Sequence, residues 1–393
     1  AGYSNTTGNM NIAIGYDAMN GGTTTGDNNI AIGPSALDAL TSGYENIAIG
    51  NDALGAMNDG NRNVAIGANA MGNQVNAGTQ NVAIGYHTME EPADGFANTY
   101  VGALTGGSEG YVSGDYNVGI GYQADKTRYA GDYNISIGYR SHEYQGIGGG
   151  SNSIAIGKNA SAFAGVKAGF SGYQTAPDRI AIGTSAGANI QMGVGSTFIG
   201  HTSYMGQGTA YNLTASYVTT LGYETGRYAT GSYNTFIGSQ AGKGGTTSAP
   251  YSSGESNTAL GYLALTAFTT GYSNTAIGKG AGDAINTGYN NSIMGASAGT
   301  SLTTGFGNVI IGRVAAYATT DVDKAVIIGE QAGYTGNMTS AADGTVSIGS
   351  GAGKNITSGQ ANVSVGFGAL TSEDTGNYNT AIGYQALTTQ NVN

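Results

Sequence analysis

The chain has 393 residues, among them 71 glycines, with no cysteine, no tryptophan and a formal net charge of −11. The missing cysteines exclude disulfides, thiolate metal sites and cysteine nucleophiles. The 13 scattered Lys and Arg residues form no basic stripe of the kind that neutralises phosphates, which argues against nucleic acid and anionic membranes as partners. No apolar run approaches the roughly 20 residues of a membrane span.

One block returns from end to end. It first reads Asn11-Ile12-Ala13-Ile14-Gly15-Tyr16-Asp17-Ala18 and last reads Asn379-Thr380-Ala381-Ile382-Gly383-Tyr384-Gln385-Ala386. Self-similarity at a fixed period marks a repeat architecture. The motif glycines run from Gly15, Gly33, Gly50 and Gly67 to Gly349, Gly366 and Gly383, 21 in all, most often 17 residues apart. A large aliphatic residue precedes each, and two residues before that one stands another aliphatic or a Thr. A spacing of two puts both on one face of a strand. The expectation is that this face is the inside of a coil, with Ile14, Ile32, Ile49, Ile66, Ile84, Ile137, Ile277 and Ile382 as its core. The small residue between them (Ala13, Ala31, Ala48) then faces out. There it meets a partner chain, unless strand propensity alone explains it.

A second glycine lies seven residues before the motif glycine in most rungs, as at Gly8, Gly43, Gly271 and Gly288, after Thr, Ser, Asn or Asp. This is turn chemistry. Each repeat thus reads as strand, corner, short second strand or arm, and corner. The fold class predicted is all-β, a parallel β-solenoid of about 21 rungs forming one elongated domain over 1–393. In-register rungs at about 4.8 Å give a rod on the order of 100 Å long. The Asn that opens the motif (Asn11, Asn29, Asn46, Asn63, Asn274, Asn291, Asn308) is expected to stack as an amide ladder along the axis. Neither tail carries a capping helix or charged cover, so both ends are expected to be covered by more protein.

Chemistry-bearing motifs are few. His87, His142 and His201 fall in different rungs and read as isolated surface residues. Gly278-Lys279-Gly280-Ala281-Gly282 and Gly349-Ser350-Gly351-Ala352-Gly353-Lys354 lack the ending and the helix of a phosphate loop. Glu90 with Glu91, and Glu373 with Asp374, read as solvated loop neighbours. The Asp spacing does not fit a calcium-binding nonapeptide repeat. No enzyme activity, cofactor or metal is expected. Longer loops near 158–178, 201–217, 239–256 and 330–344 carry Phe163, Phe170, Tyr173, Tyr204, Tyr211, Tyr217 and Tyr251. Solenoid insertions often sit on a binding face, so these rings either contact a glycan or receptor or fold down over the coil.

The block Asn29-Ile30-Ala31-Ile32-Gly33-Pro34-Ser35-Ala36 resembles the head repeat of trimeric autotransporter adhesins. The longer form Gly376-Asn377-Tyr378-Asn379-Thr380-Ala381-Ile382-Gly383-Tyr384-Gln385-Ala386-Leu387 resembles repeats of bacteriophage tail fibres and related secreted fibrous proteins. The resemblance spans essentially the whole chain, although the adhesin repeat is shorter, nearer fourteen residues. It implies a left-handed β-roll, three chains side by side as a homotrimer, and an extracellular role in attachment to a cell surface. The function expected is therefore a structural fibre or shaft, as in a virion tail fibre. A secreted or cell-surface filament subunit or adhesin that assembles end to end is the second expectation, and a polysaccharide depolymerase the third. The partner expected first is the chain itself, with a cell-surface glycan or protein receptor after it.

Overall fold

A computed structural model describes residues 6–21, 23–73, 78–90, 95–107, 114–126, 131–142, 151–161, 178–188, 194–204, 215–245, 251–372 and 375–388. The chain is all-β, with 21 parallel three-residue strands among the described residues, and it divides into two compact units, Ala1–Ser196 and Thr197–Asn393. The first unit holds β1 (Ile12–Ile14), β2 (Ile30–Ile32), β3 (Ile47–Ile49), β4 (Val64–Ile66), β5 (Val82–Ile84), β6 (Thr99–Val101), β7 (Val118–Ile120), β8 (Ile135–Ile137), β9 (Ile154–Ile156) and β10 (Ile180–Ile182). The second holds β11 (Thr197–Ile199), β12 (Thr219–Leu221), β13 (Thr235–Ile237), β14 (Thr258–Leu260), β15 (Thr275–Ile277), β16 (Ser292–Met294), β17 (Val309–Ile311), β18 (Val326–Ile328), β19 (Val346–Ile348), β20 (Val363–Val365) and β21 (Thr380–Ile382).

Within each unit every strand pairs in register with the next. Ala31 stands opposite Ala48 and Ala48 opposite Ala65. In the second unit Phe236 stands opposite Ala259, and Ile293 opposite Ile310. This is the rung stacking of a β-solenoid. The motif glycine ends each strand because only glycine can stand there. Gly33 has φ +131°, and a Cβ on it would lie 2.5 Å from the carbonyl oxygen of Gly50 in the next rung. Side chains are thus excluded twice, by backbone conformation and by close approach.

The arm after the glycine is not a second strand. Among the described residues it is mostly turns and bends, with bridge residues at Thr24, Ala229 and Ser252 and a short 3-10 turn at Ser340–Ala342. Its second and fourth residues adopt positive φ without being glycine: Ser35 (53°) and Leu37 (51°), then Asp52 (57°) and Leu54 (51°). That conformation is uncommon for an L residue. Hydrogen bonds to both neighbouring rungs hold it, since the Ser35 N–H donates back to Tyr16 and the Leu37 N–H donates forward to Ala53, at 2.9 and 3.1 Å.

The strand faces are the reverse of the sequence expectation. The middle residue points inward: Ala31, Ala48, Ala65, Ala155, Ala276 and Ala381 are buried. The flanking aliphatics point outward. Ile14 is 58% exposed and Ile382 69% exposed, while Ile32, Ile49, Ile66, Ile84, Ile137 and Ile277 are half-buried. The reason is room. The arm already sends large side chains into the coil, among them Leu37, Leu40, Leu54, Met57 and Met71, all fully buried. Opposite them only an alanine-sized group fits.

Where the strand centre is large, the arm retreats. Tyr100 faces Gly106, and a Cβ there would lie 2.5 Å from the Tyr100 ring; Phe236 faces Gly242 at 2.4 Å. Ile293 and Ile327 likewise have Gly299 and Gly333 near them. Phe198 and Tyr204 are both large and stack at 5.1 Å. Their neighbouring rung compensates with Thr220 and Gly226, where a Cβ would come 2.8 Å from Tyr204.

The asparagine ladder is present as expected. The Asn46 N–H donates to Asn29 Oδ1 at 3.0 Å, Asn46 Nδ2 donates to the Gly60 carbonyl at 2.7 Å, and the Asn63 N–H donates to Asn46 Oδ1 at 2.9 Å. The same bonds recur through Asn274, Asn291 and Asn308. Asn29, Asn46, Asn63, Asn274, Asn291 and Asn308 are buried and Asn11 half-buried. Each amide bonds the next rung twice, its nitrogen donating to that rung's corner carbonyl and its oxygen accepting from that rung's ladder N–H, so the buried polar side chain is satisfied.

Candidate interaction face

Across the outward side of a rung the exposed groups form a continuous apolar band. In the eighth rung Tyr133, Ile135, Ile137 and Tyr139 stand in sequence, with the rings exposed and the aliphatics half-buried. In the seventh Tyr116, Ile120 and Tyr122 are exposed around Val118. In-register pairing turns these into columns. Ile30, Ile47 and Val64 line one, and Ile32, Ile49 and Ile66 the other. In the second unit the first column changes character to Thr219, Thr235, Thr258 and Thr275, while the second stays aliphatic through Leu221, Ile237, Leu260 and Ile277.

Aromatic rows flank these columns, and their rings stack from rung to rung. Tyr116 and Tyr133 lie 5.0 Å apart with planes 7° from parallel, and Tyr122 and Tyr139 lie 5.7 Å apart at 14°. Tyr272, Tyr289 and Phe306 make a three-ring stack at 4.9 and 4.8 Å, with Lys324 Nζ 5.7 Å from the last ring. Stacking covers the ring faces and leaves edges and hydroxyls to solvent.

Of the seven loop aromatics singled out in the sequence, Phe163, Phe170, Tyr173 and Tyr211 lie outside the described residues. Tyr204 is not a surface contact. It is 1% exposed, packs on Phe198, and donates its hydroxyl to the Gly231 carbonyl at 3.4 Å. Burial pushes its phenol pKa far up. The arm position it occupies is the one that holds Leu37 and Leu54 in earlier rungs, so it folds down to fill the coil. Tyr217 is exposed but stacks on Tyr233 at 5.6 Å, and Tyr251 is half-buried.

The histidines differ from one another. His142 is buried, a correction to its reading as a surface residue, with its Nδ1 2.7 Å from Ser136 Oγ. It too takes an inward arm position. His87 is half-buried beside Glu90 and Tyr86. His201 is exposed and stacks on Tyr223 at 5.5 Å. Among the described residues no group of three or more His, Cys, Asp and Glu is placed to hold a metal ion, and no helix is long and apolar enough to cross a membrane.

Ionisable groups serve the rungs. Glu224 is drawn up by burial but held below its ordinary pKa by hydrogen bonds from Gln240 and Lys243 and by the Arg227 charge. Burial lowers Arg179, which occupies an asparagine-ladder position, to about 10. Sequence reasoning missed a second ladder at the preceding corner. The Phe96 N–H donates to Asp115 Oδ1 and the Asp115 N–H to Asp132 Oδ1, at 2.8 and 2.9 Å. Phe306 with Asp323, and Asp323 with Asp343, repeat it at 2.9 and 2.8 Å. The signal available was an Asp, Asn or Ser recurring just after the corner position, after Gly114 and Gly131 as after Val322 and Ala342.

Neither the models of known protein families nor the curated proteins give a match to this chain.

Proposed function

We propose that the chain is a non-enzymatic structural protein that associates side by side with further copies of itself and serves as a fibre or shaft in attachment to a cell surface. The outward aliphatic columns carry this reading. A contiguous exposed apolar band rimmed by polar corners is the surface of a protein that has a partner. A partner built from the same rungs offers the same column spacing, so the bands match along their length. A homotrimer is the simplest closed arrangement, and it agrees with the resemblance of the repeat to trimeric adhesin heads and phage tail fibres. An extracellular or virion location, and a glycan or protein receptor met by the loops, belong to the same proposal.

The test is the mass of the chain in solution, by sedimentation or light scattering, for the wild type and for an Ile47→Asp/Ile49→Asp variant. Both side chains point out of the coil, so the variant keeps the rung intact while placing charges on the band. A multiple of 39.2 kDa that falls to the single-chain mass in the variant is expected. A wild type that stays a monodisperse single chain at all concentrations sinks the proposal. Attachment is tested separately, by binding of labelled assembly to candidate cells and by its loss on glycan removal.

A further inference from the structure

The chain has no cysteine and so no disulfide with which to fasten one rung to the next, yet it holds pairs of phenols in covalent reach of one another. Tyr116 and Tyr133 stand directly before Asn117 and Asn134, at the same place in consecutive rungs. Their separation is therefore set by backbone. The Tyr133 N–H donates to the Asp115 carbonyl and the Asn134 N–H to Asn117 Oδ1, both at 3.0 Å. Tyr272 and Tyr289 are held alike, by Asn290 N–H to the Tyr272 carbonyl and Asn291 N–H to Asn274 Oδ1, both at 3.1 Å. The rings lie 5.0 and 4.9 Å apart and within 7° and 6° of parallel. In the single chain Tyr116, Tyr133 and Tyr272 are exposed and Tyr289 half-buried, so a small oxidant reaches them there before side-by-side association covers the band.

We propose that these stacked pairs, Tyr116 with Tyr133 and Tyr272 with Tyr289, are sites of oxidative coupling that staple consecutive rungs as dityrosine. The oxidant class is a peroxide acting through a haem peroxidase. Each phenol gives up one electron and one proton. The two phenoxyl radicals join through the ring carbons ortho to their hydroxyls, and the adduct regains aromaticity by shifting its ring protons to oxygen. Two phenols and one hydrogen peroxide yield one dityrosine and two waters. Holding two reactants at near-contact distance makes the coupling unimolecular and removes the cost of encounter. A phenoxyl formed here meets its neighbour before it meets another molecule. The inference stands apart from side-by-side association, because each staple lies within one chain.

The experiment treats the full chain with a haem peroxidase and hydrogen peroxide, mixing heavy-isotope-labelled and unlabelled protein, and reads digests by tandem mass spectrometry. The expected products are Tyr116–Tyr133 and Tyr272–Tyr289 peptides, short by two hydrogens and carrying one label only. Tyr289→Phe should lose the second product and keep the first. Phe306 shows that a ring without a hydroxyl is accepted in that stack. Exposed Tyr262, with Ser239 and Lys279 at its place in the adjacent rungs, should give no product within the chain. Cross-links dominated by Tyr262 or by mixed-label peptides would overturn the proposal, as would peroxide consumption without dityrosine.

Discussion

Rungs two to five of the first unit and several rungs of the second solve one packing problem from opposite sides. In rungs two to five of the first unit the strand supplies Ala31, Ala48, Ala65 and Ala83, and the arm supplies Leu37, Leu54, Met71 and Met89, all buried. In the second unit the strand supplies Phe198, Phe236, Ile293, Ile310 and Ile327, and the arm falls back to Gly242, Gly299 and Gly333. In most of these rungs the large group thus comes from one side or the other, as close packing demands. The ladders differ as well. Asparagine runs unbroken over eight rungs of the first unit, from Asn11 to Asn134. In the second it is interrupted by Val218, Ala325 and Thr345.

The sharpest way to break this comparison is to swap one solution for the other. Phe236→Ala leaves a cavity facing Gly242 and should cost about 3–5 kcal/mol. Gly242→Leu alone overfills the same coil, since a Cβ there would lie 2.4 Å from the Phe236 ring. The double variant rebuilds the Ala/Leu arrangement of the first unit. Gly242 has φ +54°, close to the 51° of Leu37 and Leu54, so leucine is conformationally accepted. Denaturant unfolding should show the pair recovering about 1–3 kcal/mol of the summed single losses. Strict additivity would mean that the two positions do not share a volume.

A smaller effect is expected from the ladder. Asn46→Ala removes the acceptor of the Asn63 N–H and the donor to Gly60, leaving buried backbone groups unsatisfied at about 1–3 kcal/mol. Amide exchange should rise at Asn63 and its neighbours in the first unit. Unchanged exchange there would show that the ladder decorates the coil without holding it.

The smallest effect is electrostatic. Asp283 has its pKa raised by burial, and its Oδ1 has no hydrogen-bond partner among the described residues. A carboxyl that binds its proton more tightly when folded destabilises the ionised protein, so the fold gains stability as pH falls through the raised folded pKa towards the unfolded value. Asp38 and Asp323, both raised first by burial, act in the same direction. Glu224 acts in the opposite one: its lowered pKa stabilises above the unfolded value and is lost on acidification. Asp283→Asn should raise Tm modestly at pH 7, with the gain shrinking as the pH is lowered towards 4. A gain that grows on acidification would reverse the assigned sign.

Much of the architecture was legible because it repeats. Gly15 to Gly383 gave the rungs, and Asn29, Asn46 and Asn63 gave the ladder. The direction of the strand faces was not. A period of two separates Ile47 and Ile49 from Ala48 but does not say which set is inside, and hydrophobicity pointed to isoleucine. The deciding fact lay outside the strand, in the residue that follows the glycine by four positions: it is large in Leu37, Leu54, Met71 and Met89, and gives way to Gly106, Gly242, Gly299 and Gly333 beside Tyr100, Phe236, Ile293 and Ile327. The burial of His142 was hidden for the same reason, as was which of the two readings of Tyr204 holds. Both occupy that inward position, which their polar atoms disguise. The positive φ values of Leu37 and Leu54 left no sequence signal, because hydrogen bonds to neighbouring rungs impose them against the residues' own preference.

In-register columns also make the rung a unit of inheritance. The step from Gly157 to Gly183 is longer than the step from Gly261 to Gly278, yet Ile154 meets Ile180 with the same alignment as Thr258 meets Thr275. The strands on either side of the surplus keep their alignment. A duplicated or deleted stretch running from one motif glycine to the next therefore creates the same junction that it removes. Length in such a chain can be altered by recombination between its own repeats, without a new interface having to be invented.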